Sequence, residues 1–210
     1  MDSIEEYIVE HIDAEPDLLK QMYRDAQVKL LHGGMSSGHL QGRLLKMFVQ
    51  MICPSRVLEI GTYTGYSALC IAEGLGENAS LDTIEIDDEM EDIIRDNFSC
   101  SSYSDKIKLI IGDANDVVLQ YDDNTFDLIF MDGNKRDYLQ LYEKILPKTK
   151  QGGFIIADNT LWHGKVLEEP KSNDWQTKGI LEFNDNLKSD DRVEKVILPV
   201  RDGLTLIRKK

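Results

Sequence analysis

Residues 56–69 read RVLEIGTYTGYSAL, an apolar run followed by a turn with two glycines and then a helix-like segment. Val57, Leu58 and Ile60 make up the run, which is typical of a buried parallel strand. A glycine-bearing turn between a strand and a helix N-terminus brings backbone N–H groups close to a ligand. The stretch therefore predicts a strand–turn–helix unit with a ligand at the turn that contains Gly61 and Gly65.

The rest of the chain repeats this alternation. Helical patterns, including those at residues 88–97 and 138–146, separate short apolar runs of the strand type. The predicted strands are residues 57–60, 80–86, 107–111, 126–131, 154–157, 193–200 and 204–208. Such an alternation forms an α/β fold, a parallel sheet with right-handed crossovers and helices on both faces. The last two strands are joined by Arg201-Asp202-Gly203, and Asp-Gly is a hairpin signal, so these two are expected to be antiparallel.

The chain is expected to form a single domain, residues 1–210, because 210 residues of which 41% are hydrophobic can build one sizeable core. Residues 1–52 carry apolar side chains at helical spacing and predict a helical N-terminal cap or lid. Pro16 fits the start of a second helix there, and Gly33-Gly34 separates that helix from a third. Residues 55–210 make up the alternating core.

The charge balance is acidic. The chain has 24 Lys and Arg against 38 Asp and Glu, a net charge of −14, which disfavours nucleic acid as the default partner. No apolar run approaches the roughly 20 residues that a membrane span needs, and the acidic N-terminus lacks the pattern of a signal peptide. Cys53, Cys70 and Cys100 are far apart and form no CxxC pair. They predict reduced, buried thiols in a cytoplasmic protein.

The turn itself argues against a dinucleotide. Tyr63 stands where a GxGxxG turn has its middle glycine, so a pyrophosphate cannot lie as close to the backbone. Glu85 ends the second strand, where an acid can accept both ribose hydroxyls. Ser67 suits a carboxylate, and Glu59 suits an ammonium group. A nucleoside that also carries an amino acid, S-adenosylmethionine, satisfies all of these; the alternative is a plain strand-to-helix turn with no ligand.

A second cluster lies at the ends of the fourth and fifth strands. Asp132 ends FDLIFMD, and Asp158-Asn159 ends GGFIIADN, so adjacent strands bring three oxygen ligands together. Two carboxylates and an amide without a Cys or His pair predict a hard-cation site, most plausibly for Mg²⁺. Lys135 is expected to project toward the same place, where a bound dication would depress its pKa to that of a general base. The alternatives are an ordinary Asp-Asn turn and a solvated surface lysine.

Five motifs together carry a resemblance to a known family. They are LEIGTYTGYSAL, TIEID, GDA, FDLIFMDGNKRDY and ADNTLW, and the similarity covers roughly residues 30–208. The chain resembles the metal-dependent O-methyltransferases of the catechol and caffeoyl-CoA type, in their bacterial branch. The resemblance implies a seven-stranded, mostly parallel Rossmann-like class I methyltransferase fold with an antiparallel last strand. It also implies homodimers.

The resemblance assigns roles residue by residue. The implied metal ligands, for Mg²⁺ or another divalent cation such as Mn²⁺ or Ca²⁺, are Asp132, Asp158 and Asn159. The implied contacts to S-adenosylmethionine are Met35 and Ser37 in the lid segment MSSGHLQG, then Glu59, Gly61, Tyr66, Ser67, Glu85, Asp113, Ala114 and Asp132. Lys135 and Asp132 are the implied catalytic residues, and Lys135, Asn159 and Trp162 the implied contacts to the acceptor. Lys135 would take the proton of the acceptor hydroxyl before methyl transfer.

The identity of the acceptor is less constrained. In animal catechol enzymes a glutamate just after the final hairpin turn holds the second substrate hydroxyl, whereas this chain has Thr205 at that position. The polar segment 161–176 is expected to decide substrate choice. The expected acceptor is a catechol-like or vicinal-diol phenol, a small hydroxylated aromatic molecule. The alternative is a hydroxyuridine of transfer RNA, held by a local track of Lys165, Lys171, Lys178 and the C-terminal RKK. A dehydrogenase and an inactive cofactor-binding module are further, weaker readings.

Overall fold

A computed structural model describes residues 3–210 of the chain. Its α-helices are α1 (Ser3–His11), α2 (Asp17–Lys29), α3 (Gly38–Ile52), α4 (Tyr66–Gly74), α5 (Glu91–Ser99), α6 (Ala114–Val117), α7 (Tyr138–Lys148) and α8 (Trp175–Ser189). Short 3-10 segments cover Gly33–Met35, Asp88–Met90, Ser104–Lys106, Val118–Gln120, Lys135–Asp137 and Trp162–Leu167. The predicted break at Gly33-Gly34 is thus a 3-10 turn, and Pro16 directly precedes α2.

The strands form one sheet. They are β1 (Arg56–Ile60), β2 (Ser80–Glu85), β3 (Ile107–Ile111), β4 (Phe126–Met131), β5 (Thr149–Asp158), β6 (Val193–Leu198) and β7 (Leu204–Lys209). Their order is β3-β2-β1-β4-β5-β7-β6. Strands β1 to β5 pair in parallel, whereas β7 pairs antiparallel with both β5 and β6. The predicted α/β, Rossmann-like architecture and its antiparallel hairpin are therefore confirmed.

Strand β5 begins five residues before its predicted start. Gly152 and Gly153, which precede the predicted strand, both lie inside the observed one. A side chain at Gly153 would come within 3.0 Å of the carbonyl oxygen of Asp127, and the register with β4 shifts between Phe126 and Leu128. The glycines therefore permit an irregular, close approach of two strands rather than ending one of them.

The hydrophobic core lies on both faces of the sheet. One cluster joins the sheet to α7 and α8 and includes Tyr138, Tyr142 and Phe183. The other joins it to α2, α3, α4 and α5. Close contact between α3 and α4 depends on a residue without a side chain, because a Cβ at Gly42 would lie 2.7 Å from the sulfur of Cys70. The N-terminal helices thus pack directly on the helix that follows the glycine turn.

The prediction of three buried thiols is wrong for two of them. Cys70 is buried in α4, but Cys53 and Cys100 are exposed. Both exposed cysteines stand at helix ends, Cys53 in a left-handed conformation after α3 and Cys100 after α5. Such positions face solvent whatever their side chain. All three thiols are free, and no helix within residues 3–210 is long and apolar enough to cross a membrane.

Candidate active site

The turn after β1 is held against the neighbouring strand β4. Gly61 and Gly65 have φ values of +96° and +86°, a backbone region that favours glycine. A Cβ at Gly61 would lie 2.4 Å from the carbonyl oxygen of Asp132, and the N–H of Asp132 donates to the Ile60 carbonyl. The sheet therefore brings the two predicted clusters, the turn after β1 and the end of β4, into direct contact.

Glu59 is fully buried below this turn. The hydroxyl of Thr62 contacts that of Thr83, which donates to Glu59 Oε2 at 2.5 Å. The other oxygen, Oε1, has no hydrogen-bond partner among residues 3–210. Burial raises the pKa of Glu59 to about 8, although the nearby hydroxyls of Ser67 and Thr83 oppose the rise. A buried acceptor oxygen without a donor fits an incoming ammonium group, as the sequence predicts.

Glu85 organises the turn as well as facing the pocket. Its Oε2 accepts the backbone N–H groups of Thr62 and Tyr63 at 3.1 and 2.7 Å, and its Oε1 accepts that of Asp87 at 2.9 Å. An ionised carboxylate has about four lone-pair sites, so capacity for a hydroxyl remains. This double role was not evident from the sequence.

A pocket of about 110 Å³ opens beside these residues. Its walls include four of the predicted cofactor contacts: Gly61, Glu85, Asp113 and Ala114. Ile84, Ile86 and Leu141 supply apolar surface. Asp113 caps α6 by accepting the N–H of Asn115 at 2.8 Å. A small, mostly apolar cleft with acidic groups at its edge suits a neutral nucleoside better than a pyrophosphate.

Besides Glu59 and Asp132, four predicted cofactor contacts lie outside the residues that line this pocket. Ser67 is buried in the first turn of α4, and in the lid Ser37 is buried whereas Met35 is 57% exposed. The Tyr66 hydroxyl donates to Glu15, and its ring meets Tyr23 edge-on. The Tyr66 side chain thus belongs to the packing of the N-terminal helices. Its contact to the cofactor, like those of Met35 and Ser37, stays a prediction.

The carboxyl ends of β4 and β5 bring two of the predicted metal ligands, Asp132 and Asp158, close together. Asp158 is buried, Gln41 donates to its Oδ2 at 2.5 Å, and the Asn159 N–H donates to its Oδ1 at 2.7 Å. Burial and the neighbouring charge of Asp132 raise the pKa of Asp158 to about 7. Within residues 3–210 no group of three His, Cys, Asp or Glu could hold a metal, so a site here needs the Asn159 amide as its third donor. Two close carboxylates and an amide are the donor set of a hard cation.

Lys135 points into this cluster and is not a solvated surface residue. It is 7% exposed, and its Nζ lies 2.5 Å from Asp132 Oδ1 and 3.1 Å from the Gly133 carbonyl. Burial alone would lower the pKa of Lys135, but the negative charges of Asp132 and Asp158 outweigh it and raise that pKa. Lys135 is therefore ammonium here, and a lowered pKa requires that the charge of the two carboxylates be offset.

Sequence reasoning missed two residues that support the cluster. The Tyr138 hydroxyl lies 2.8 Å from the Asp158 carbonyl and 3.0 Å from that of Met131, so it ties together the ends of β4 and β5. Gln41 reaches Asp158 from the lid helix α3. Both lie within quoted motifs, FDLIFMDGNKRDY and MSSGHLQG, so their position was visible but their partners were not.

The predicted acceptor contact Trp162 lies in the segment after β5. Trp162 is half-buried, and its indole N–H donates to the Thr177 hydroxyl at 3.0 Å. Thr205 is fully buried and donates to the Thr160 hydroxyl at 2.8 Å. Thr205 is therefore a structural residue beneath the loop and does not face an acceptor.

Comparison with known proteins agrees with this geometry. The family model described as O-methyltransferase matches residues 9–210. The chain is 31% identical to caffeoyl-CoA O-methyltransferase 5 of Nicotiana tabacum, over 99% of this chain and 91% of that protein.

Solved structures show the same fold. The SAH-bound methyltransferase PaMTH1 of Podospora anserina is 30% identical, with a TM-score of 0.89 over 100% of this chain and 94% of that one. The O-methyltransferase of Bacillus cereus in complex with SAH is 27% identical, with a TM-score of 0.90 over 99% and 97%. The chain therefore belongs to the O-methyltransferase family, in its caffeoyl-CoA type, and is an S-adenosylmethionine-dependent O-methyltransferase.

Proposed function

We propose that this enzyme methylates a hydroxyl of a catechol-like or other vicinal-diol phenol and needs a divalent cation to do so. The observation that carries the proposal is the convergence of Asp132, Asp158 and Lys135 beside the turn after β1. A buried lysine against two carboxylates, next to a cofactor pocket, is the equipment for ionising a hydroxyl close to a methyl donor.

On the cofactor side, four residues have complementary roles. Glu59 would accept the amino group of S-adenosylmethionine through its unpartnered Oε1, and Ser67 would meet the carboxylate. Glu85 would hold the ribose hydroxyls from the edge of the pocket, with Asp113 beside it. These acids also offset the positive charge of the sulfonium, so the cofactor side needs no basic group.

On the metal side, Asp132, Asp158 and Asn159 would hold Mg²⁺ or a similar cation. The bound cofactor supplies a methyl group on a sulfonium, and the cation supplies a Lewis acid that lowers the pKa of the acceptor hydroxyl. Gln41 and Tyr138 keep Asp158 in place through its side-chain and backbone oxygens. Their hydrogen bonds orient the ligand and limit its movement.

Lys135 would accept the proton of the acceptor hydroxyl at its Nζ. It can do so only as a neutral amine, which requires that its contact with Asp132 be relieved. A cation held by Asp132 and Asp158 would have that effect, because a nearby positive charge disfavours the ammonium form of Lys135. Trp162 would form a wall that orients the acceptor toward the cofactor.

Labelled-methyl transfer tests the proposal directly. The test panel contains free catechols and caffeoyl-CoA, the latter because of the tobacco relative. The enzyme should methylate at least one of these compounds. Activity should disappear in excess EDTA, return with Mg²⁺ and be lost in Asp158→Ala. Full turnover in EDTA would refute the metal requirement, and no transfer to any vicinal diol would refute the acceptor class.

Transfer RNA is the second arm of the same assay. Two lysines of the predicted RNA track are engaged within the chain: Lys165 lies 3.6 Å from Asp174, and Lys178 donates to the Ser172 carbonyl at 2.7 Å. Methylation of bulk hypomodified transfer RNA with no turnover of phenols would replace the proposed acceptor by a hydroxyuridine.

We also propose that the enzyme is a cytoplasmic homodimer, which fits its three free thiols and the exposed apolar side chains of its N-terminal helices.

A further inference from the structure

We propose that the turn of the last hairpin, residues 201–203, clamps the loop 160–163 and that Asp202 is a positioning residue for the acceptor side of the site. Asn159 directly precedes this loop and Trp162 lies in it. These are the residues proposed to meet the cation and the acceptor, so the inference rests on the proposed function. The clamp itself is a feature of the fold and does not depend on which acceptor is used.

The backbone of the loop is hydrogen-bonded to the hairpin turn. The Leu161 N–H donates to the Asp202 carbonyl at 2.9 Å, and the Thr160 N–H donates to the Gly203 carbonyl at 3.1 Å. Gly203 has a φ of +89°, and a Cβ there would lie 2.5 Å from Leu161 Cγ. The turn therefore touches the loop so closely that only glycine fits at the contact.

The Asp202 side chain adds a third attachment. Its Oδ1 accepts the backbone N–H of His163. Its Oδ2 is buried and lies 3.6 Å from His163 Nε2, and it has no hydrogen-bond partner in the described part of the chain. The side chain of Asp202 is 11% exposed, whereas that of His163 is 75% exposed. The carboxylate of Asp202 is therefore hydrogen-bonded to the backbone of the loop and not to the His163 side chain.

The loop needs such a restraint because its backbone is strained. Asn159, Trp162 and His163 have φ values of 58°, 46° and 52°, in the left-handed region that side chains disfavour. Each such conformation is energetically disfavoured and persists only where surrounding contacts fix it. A clamp that holds three backbone positions keeps Asn159 and Trp162 in these conformations.

The same turn also reaches the lid. Arg201 donates to the Ser36 carbonyl at 3.3 Å, and Ser36 stands between the predicted cofactor contacts Met35 and Ser37. The hairpin turn is therefore the one element, within residues 3–210, that bonds both to the lid segment and to the loop after Asn159. This position makes it a link between the cofactor side and the acceptor side.

Amide hydrogen exchange of the full-length enzyme tests the clamp without any reaction. In Asp202→Ala, exchange of the amides of residues 160–163 should accelerate at least tenfold, the effect of losing one hydrogen bond to a charged group. Exchange in β1 and β4 should stay unchanged. Asp202→Asn keeps an acceptor oxygen and should exchange close to the wild-type rate, and His163→Ala keeps the backbone N–H and should do the same. The matched control is Asp185→Ala, an exposed acid on α8.

Kinetics then test the positioning role. In Asp202→Ala the KM for the acceptor should rise about tenfold, while calorimetry should find the affinity for S-adenosylmethionine unchanged within twofold. Unchanged exchange in the loop, uniform acceleration along the whole chain, or an Asn variant as impaired as the Ala variant would overturn the clamp. If the wild type methylates no phenol, the proposed acceptor fails, yet the exchange experiment still decides whether Asp202 fixes the loop.

Discussion

The surroundings of Glu59 show how burial alone can change the chemistry of one carboxyl group. With a pKa of about 8, Glu59 is mostly protonated at pH 7 in the absence of a ligand. An ammonium group placed at its free Oε1 favours the ionised form. Binding should therefore expel the proton, and the effect should be present below pH 8 and fade above it.

This proton release is measurable. Calorimetric titration of S-adenosylmethionine into the metal-free enzyme at pH 7, in two buffers with different ionisation enthalpies, should give a buffer-dependent heat that corresponds to release of close to one proton. Affinity should rise with pH up to about 8. Glu59→Gln is the control and should bind with no net release. Identical heats in both buffers would show that Glu59 is already ionised or does not meet the amino group.

Lys135→Met tests the proposed base. The variant keeps every predicted ligand of the cofactor and the cation, so both should still bind. Methyl transfer should slow by about 10²–10⁴-fold, the usual contribution of a positioned acid or base. Raising the pH should partly restore the rate, because solvent hydroxide then ionises the acceptor.

The matched control is Lys188→Met, which removes an exposed lysine in the last turn of α8. It should behave as the wild type. If Lys135→Met stays within about threefold of the wild-type rate from pH 6 to 9, well below the effect of a general base, Lys135 only balances charge.

At the level of elements, the sequence predicts strands well where they are apolar and bounded by polar residues. The predicted bounds of β3 and β4 match the structure residue for residue. The early start of β5 was missed because Gly152 and Gly153 have no side chains to show periodicity, and their role depends on contact with another strand. The left-handed residues in the segment 159–164 were also missed. They are held by hydrogen bonds from a hairpin turn about 40 residues further along the chain, which no local pattern indicates.

The same distinction applies to the site. Asp132, Asp158 and Lys135 were predicted together because parallel strands end at one edge of the sheet, a rule that needs no coordinates. Gln41 and the clamp by Asp202 join segments that are far apart in sequence, and no local pattern indicates their partners. The family resemblance assigned Tyr66 to the cofactor, and it could not show that the Tyr66 hydroxyl reaches Glu15 in the N-terminal part of the chain.

The junction of α8 and β6 depends on one buried carboxylate, and its pH dependence can be predicted. Asp190 accepts hydrogen bonds from the Tyr142 hydroxyl at 2.8 Å and from the Arg192 backbone and guanidinium at 2.7–3.1 Å. The hydrogen bonds from Arg192 lower the pKa of Asp190 below its usual value. A depressed carboxyl pKa stabilises the fold above the unfolded pKa of about 4 and loses that effect as pH falls through the folded pKa.

Asp190→Asn should therefore lower the free energy of unfolding by about 1–3 kcal/mol at pH 7, the range for hydrogen bonds to a charged group. The difference from the wild type should shrink below about pH 4. Urea denaturation at pH 7 and below about pH 4 measures this difference in the free energy of unfolding, with the exposed Asp185→Asn as the control. A difference that is the same at both pH values would mean that shape, rather than charge, makes Asp190 stabilising.

At the scale of the whole molecule, the exposed apolar side chains are concentrated in the N-terminal helices. Those more than half exposed there are Ile4 and Tyr7 on α1, Val28 on α2, Leu31 and Met35 just after it, and Met51 on α3. Met47, itself 50% exposed, stands one helical turn before Met51 on the same face of α3. Exposed apolar groups gathered on one part of a chain are typical of an interface. We expect this surface, residues 4–51, to bind a second copy of the chain.

The proposed dimer has to overcome repulsion between two chains of charge −14 each. Salt screens that repulsion, so light scattering after size exclusion should give a dimer mass whose dissociation constant falls as salt is raised from about 20 to 200 mM. Leu31→Glu with Met51→Glu should give monomers at micromolar concentration, because both substitutions place charge on the apolar surface. The control is Leu119→Glu, which changes a leucine that is 59% exposed and lies far along the chain from the helices. If that control dissociates the protein as well, or if the wild type is monomeric, the N-terminal helices do not form the interface.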